Sequence, residues 1–130
     1  MYFRVAEFRR VGRRRVFAGF AEKGYYLNAA GELHHRRKKI SQRDKRQRGY
    51  VELNRGTGQS DMNGTPLFEN DVCRVCFGSG RATETVIRFK NNVAAFIAVA
   101  ERGRLKIPFA FLDKTDAAFW KIGTIYDKMI

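Results

Sequence analysis

Residues 60–75 read SDMNGTPLFENDVCRV, and this stretch restricts the fold more than any other. It places two sharp turns on either side of a short apolar segment and then opens a strand, a layout that no helix accommodates. Asp61, Met62, Asn63 and Gly64 form an Asp-x-Asn-Gly turn, because an aspartate side chain accepts hydrogen bonds from the backbone ahead of it while Asn and Gly tolerate positive φ. Pro66 presets an extended entry and Leu67 and Phe68 supply apolar anchors. Glu69, Asn70 and Asp71 make the second turn, with Asn70 in the left-handed position that glycine would fill most easily. After it, DVCRVCF reads as a strand with Val72, Arg74 and Cys76 on one side and Cys73, Val75 and Phe77 on the other. The stretch is a β corner.

The rest of the chain agrees with a β fold. MYFRVAEF puts Phe3 and Val5 on one face of a strand, after which RRVGRRRV interrupts any apolar face. VFAGF, AEKG, YYLN, AAG and ELHH follow as short segments with glycine punctuation, the cadence of a hairpin or small meander. GSGRAT reads as a hairpin turn. ETVIRFK, Asn91-Asn92 and VAAFIAVAE make a second hairpin, whose last strand is apolar on both faces, with a helix as its rival. KIPFAFL is a strand that Pro108 confines to an edge or bulge, and TDAAFW is read as a single helical turn before IGTIYD.

Two of these segments together suggest a family. NGTPLFENDVCRV resembles the NGK-x-IYEGDIV signature of the YopX proteins, which are encoded largely by bacteriophages and prophages. FWKIGTIYDKMI looks like that family's closing VIGNIYENPEL, with Ile122, Gly123, Ile125 and Tyr126 on matching positions. Asn70 stands where the family usually has glycine. The resemblance covers roughly residues 57–130 and implies a small, mainly β, barrel-like domain of YopX-like or SH3-like kind with little helix, and a phage or prophage origin. It brings no catalytic motif.

With 130 residues, the chain is long enough for one modest core, so a single domain over residues 1–130 is expected. No run approaches the roughly 18 apolar residues of a membrane span, and the arginine-bearing N-terminus is not a secretory signal. The expected location is the cytoplasm of a bacterial host cell, with no membrane partner.

Charge is the compositional outlier, with 26 Lys plus Arg against 13 Asp plus Glu, a net charge of +13. Residues 1–48 hold 15 basic and 4 acidic residues, net +11, which leaves 11 and 9, net +2, for residues 49–130. The front of the chain therefore carries the positive field, and a field of this sign attracts polyanions. Within it, residues 36–48 read RRKKISQRDKRQR, a segment too polar to bury enough surface to offset its ordering entropy, and so a mobile basic loop or arm. It is either a solvated charge run or a binding element. As a binding element it would engage phosphates through Arg36, Arg37, Lys38, Lys39, Arg43, Lys45, Arg46 and Arg48, supported by Arg13, Arg14 and Arg15, without a code for base sequence.

Catalytic and metal chemistry finds little footing. Cys73 and Cys76 form a CxxC whose members point to opposite faces of a strand, and His34 and His35, being adjacent, diverge in the same way, so neither a metal nor a cofactor is expected. GSGRAT lacks the Lys-Ser end of a phosphate loop. Phe17, Phe20, Tyr25 and Tyr26 lie near the basic residues and serve either as core or as rings that stack on exposed bases.

These features together point to a non-catalytic binding protein whose basic front engages nucleic acid. The alternative is a phage effector that binds and inhibits an acidic host protein, such as a defence nuclease. A homo-oligomer would form through the edge strand at Pro108 or the two-faced strand at Phe96.

Overall fold

A computed structural model describes residues 3–21, 24–35, 38–39, 49–78, 80–91, 95–100, 103–109 and 117–129, with the backbone alone at 38, 49 and 50. The protein is mainly β and contains a curled half-barrel sheet. It divides into two compact units, one of Met1–Arg55 with Tyr126–Ile130 and the other of Gly56–Ile125.

The first unit begins with β1 (Phe3–Val11) and β2 (Arg14–Ala21), an antiparallel hairpin, and β1 pairs on its other side with the early part of β6 (Gly49–Ser60). Buried residues cease along β1 after Phe8, since Val5, Ala6 and Phe8 are buried and Arg9–Val11 are exposed. The run RRVGRRRV thus ends the apolar face, as its composition dictates, yet strand pairing continues through it to Val11↔Arg14. Backbone hydrogen bonds do not need apolar side chains, so the ladder outlasts the core. A smaller antiparallel sheet follows from β3 (Tyr25–Leu27), β4 (Leu33–His35) and β5 (Lys38–Lys39). Val5, Leu33 and Val51 form one centre of this unit's core, with Phe3, Ala21, Tyr25, Leu27 and Leu53 packed around them.

A second centre of the same unit forms around Tyr126, which is fully buried. Its ring lies near-parallel to Phe17 at a centroid distance of 5.0 Å and edge-on to Phe8 and Phe20 at 5.3 and 5.9 Å. Such aromatic pairs contribute beyond the area they bury, by about 0.5–1.5 kcal/mol each. The Tyr126 hydroxyl donates to Glu52 Oε2 at 2.8 Å and accepts from Asn54 Nδ2 at 2.9 Å. Asn54 in turn accepts from Arg4 Nε at 3.0 Å, and the Arg4 guanidinium sits 4.1 Å from the Phe20 ring centroid. Burial of these polar groups is tolerated because they are linked in one hydrogen-bonded chain.

The second unit contains the later part of β6, β7 (Pro66–Phe68), β8 (Asp71–Phe77), β9 (Thr83–Lys90), β10 (Ala95–Ala100), β11 (Leu105–Pro108) and β12 (Ala117–Thr124). Five of these form an antiparallel sheet in the order β11-β10-β9-β8-β12, which places Pro108 on an edge strand as its missing N–H requires. Leu67, Cys73, Val75, Ile87, Ala98, Ile107 and Phe109 make the core.

The β corner has the expected chemistry. Asp61 Oδ1 accepts from the backbone N–H groups of Asn63 and Thr65, both at 2.9 Å, and Oδ2 accepts from Lys121 N at 2.9 Å. Burial opposes the charge on this carboxylate, but the bonds from Lys121, Thr65 and Asn63 prevail and hold its pKa below the usual aspartate value. Gly64 has φ +80° and Asn70 has φ +70°, the one non-glycine residue in the left-handed region among the described residues. Arg88 holds the Asn70 side chain by donating to its Oδ1.

One expectation is corrected. Ala117–Trp120 of TDAAFW belong to strand β12, paired with β8 from Ala117↔Phe77 to Thr124↔Asp71, and not to a helical turn. The partner strand overrides the mild helical preference of the two alanines. A short 3₁₀ segment comes instead at Ile125–Met129.

Candidate functional site

The β1–β2 hairpin ends in a basic ribbon. Gly12 and Arg13 are the two turn residues between the paired Val11 and Arg14, and Gly12 takes the positive φ, +63°, that a tight hairpin turn asks of its first position. All seven residues from Arg9 to Arg15 are exposed, and five of them are arginine with no acid among them. Arg10 lies directly across the ladder from Arg15, a like-charge pairing that costs a few tenths to about 1 kcal/mol in a sheet. Arg15 gains some compensation from Phe8, whose ring centroid lies 4.7 Å from its guanidinium, and from the Met129 sulfur at 3.7 Å. Between Glu7 and Phe8 the register shifts, with Gly19 opposite Glu7 and Phe17 opposite Phe8. A bulge of this kind bends and twists the strand that carries it.

Of the other residues expected to meet phosphates, Lys38 and Lys39 form the short strand β5, and Lys39 pairs with Glu32. That pairing, with a hydrogen bond from Asn28, lowers the Glu32 pKa. Arg36, Arg37, Arg43, Lys45, Arg46 and Arg48 lie outside the described residues, as does the greater part of the expected mobile loop over residues 36–48.

The β3–β4 pair divides its aromatic residues between two faces. Tyr25 lies opposite His35 and packs with the core, its hydroxyl donating to Glu7 Oε2 at 3.1 Å. Burial, together with the Glu7 charge and this hydrogen bond, pushes the Tyr25 phenol up to about 12. Gly24 beside it has φ +92°, a conformation that favours glycine, and a Cβ there would also press on His35 Nε2 at 2.8 Å. Tyr26 points the other way and remains 44% exposed, with its ring near-parallel to that of His34 (13°) at 5.1 Å. Phe17, Phe20 and Tyr25 are therefore packing residues, and Tyr26 is the ring of the four that a ligand can reach.

The cysteines diverge as their spacing implies. Cys73 is buried, and burial, with Asp71 and Asp61 nearby, drives its thiol up to about 12. Cys76 is half-buried on the other face, its thiol donating to Gly80 O at 2.9 Å. Among the described residues no three His, Cys, Asp or Glu side chains are gathered as a metal site. Among the described residues no helix is long and apolar enough to cross a membrane.

Charge made Arg13, Arg14 and Arg15 visible in the sequence, but the contribution of Arg9 and Arg10 was not. The signal that could have revealed it was Gly12 set between Arg9-Arg10 and Arg13-Arg14-Arg15, a glycine punctuating a basic run. No family model matches the chain, and neither a curated protein nor a solved structure does.

Proposed function

We propose that this protein is a non-catalytic nucleic-acid-binding protein of phage or prophage origin that holds its ligand through phosphate contacts. The observation that carries the reading is the exposed ribbon Arg9–Arg15, five arginines on a hairpin tip that projects beyond the last buried residue of its strand. Five guanidiniums within seven exposed residues form a concentrated positive field, and a guanidinium matches a phosphate with paired hydrogen bonds. The cross-strand Arg10–Arg15 pairing opposes stability, which is the kind of local conflict that functional surfaces retain. The phage origin is supported by the resemblance of residues 57–130 to the YopX pattern.

The test is fluorescence anisotropy of nuclease-treated protein with labelled DNA and RNA across a salt series. Contacts to about six phosphates give a log–log slope of roughly −4 to −5, and replacing Arg10, Arg13 and Arg14 by Gln flattens it by about 2–3. Absence of binding even at low salt would refute the reading and direct the search to an acidic host protein, which the same charges would serve.

A further inference from the structure

We infer that Tyr26 and His34 form a stacking platform for an unpaired nucleobase, so that the preferred ligand is single-stranded. This rests on the nucleic-acid reading above and adds a ligand class to it. Tyr26 and His34 are directly cross-strand partners, and Lys39 lies opposite His34 in the next strand, so the three occupy one face of the β3–β4–β5 sheet. The reverse face carries Tyr25, which is turned toward Glu7 of β1. The Tyr26 face is consequently the outer one.

The platform is held rigid before any ligand arrives. Asn28 Oδ1 accepts from the backbone N–H groups of Ala30 at 3.1 Å and Glu32 at 2.8 Å, which settles the orientation of its amide. Its Nδ2 then has only protons to offer, and gives them to Glu32 Oε1 at 3.1 Å and His34 Nε2 at 3.2 Å. The contact from Asn28 to His34 Nε2 holds the imidazole beside the tyrosine, with Nδ1 on the buried side of the ring. A rigid, two-ring surface loses little entropy when a base settles on it. Since every base has a π face, such a surface favours unpaired bases without choosing among them. Lys39 is already paired with Glu32, so the phosphates on either side of the stacked base must be held elsewhere. The arginine ribbon supplies that hold. Glu7, where the small sheet touches β1, is two residues before Arg9 and four before Val11 along the strand, a rise of about 7 to 13 Å.

The experiment compares single-stranded and duplex DNA of one length in the anisotropy assay, with Tyr26→Ala, Tyr26→Phe and the Arg10/Arg13/Arg14→Gln variant. Tyr26→Ala is expected to weaken single-strand binding about 5- to 150-fold with an unchanged salt slope, and to leave duplex binding alone. Tyr26→Phe keeps the ring and restores binding. Thermal melts of the Tyr26 variants should match the wild type to within a few degrees, because the side chain is half exposed. If Tyr26→Ala binds both ligands as the wild type does while the arginine variant loses its slope, the platform is wrong and the phosphate reading survives. If no nucleic acid binds at any salt, both are overturned.

Discussion

Removing the Tyr126 hydroxyl should destabilise the first unit far more than loss of one oxygen from a tyrosine usually does. Tyr126 and Asn54 are both fully buried, and the hydroxyl is bonded to Asn54 Nδ2 on one side and Glu52 Oε2 on the other. Tyr126→Phe deletes a hydrogen bond to a carboxylate, worth about 1.5–3 kcal/mol, and strands a buried amide donor at a further cost of about 1 kcal/mol, so the net loss is about 3 kcal/mol. The ring and its contacts with Phe8, Phe17 and Phe20 stay in place, which isolates the polar term. Since the chain has two compact units, the suitable readout is native-state hydrogen exchange at the paired amides of β1 and β6, which reports the first unit directly. A loss of 3 kcal/mol accelerates exchange through full opening by about 150-fold. Asn54→Ala should be costly as well, and the double variant should cost less than the sum of the two, because both changes break the same bond. Exchange in Tyr126→Phe accelerated by less than about threefold, or strictly additive costs, would refute the description of this chain as a coupled network.

Three further outcomes concern the second unit. Asp61→Ala leaves three backbone N–H groups without their acceptor and should destabilise the β corner by about 3 kcal/mol in urea denaturation. The Asp61 pKa is depressed by folding, so its contribution is fully present above the unfolded value near 3.9 and declines as pH falls through the lower folded value. The stability gap between the wild type and Asp61→Asn should therefore narrow as the pH is taken below about 4. With its thiol pushed up to about 12 inside the core, Cys73 should resist iodoacetamide in the native protein while Cys76 is modified. Mass spectrometry of the alkylated protein, with equal labelling of both cysteines, would contradict the burial of Cys73.

Legibility tracks the distance over which each feature is determined. Asp61 accepts from residues two and four positions ahead, and Asn70 takes its own backbone through a left-handed turn, so both could be read from neighbouring letters. The β8–β9 hairpin was legible for the same reason. Ala117–Trp120 were misread because the strand that defines them, β8, lies about 40 residues earlier, and two alanines carry no strand signal of their own. Tyr126 matched a motif position, yet nothing in the sequence said that its hydroxyl would meet Asn54, 72 residues away. At the candidate site, composition exposed the charge of Arg13–Arg15 but not the ribbon, since a two-letter turn inside a basic run resembles a simple break in the apolar pattern. The opposed faces of Tyr25 and Tyr26 follow from strand alternation, but which of them would look outward depended on where β1 lies.

The discontinuity of the first unit sets an order of events during synthesis. Its β1, β2 and β6 emerge early, but the ring that fills the space among Phe8, Phe17 and Phe20 belongs to Tyr126, and the whole of Gly56–Ile125 is translated in between. At about 5–20 residues per second, those 70 residues occupy the ribosome for roughly 4–14 s, far longer than the microseconds a hairpin needs to form. Throughout that interval the nascent β1–β2 hairpin presents an unfilled aromatic hollow beside its basic tip, while the second unit has all of its own residues and can fold as soon as β12 appears. Of the two units, the one begun earlier is thus the later to be completed, and its maturation waits on a single tyrosine.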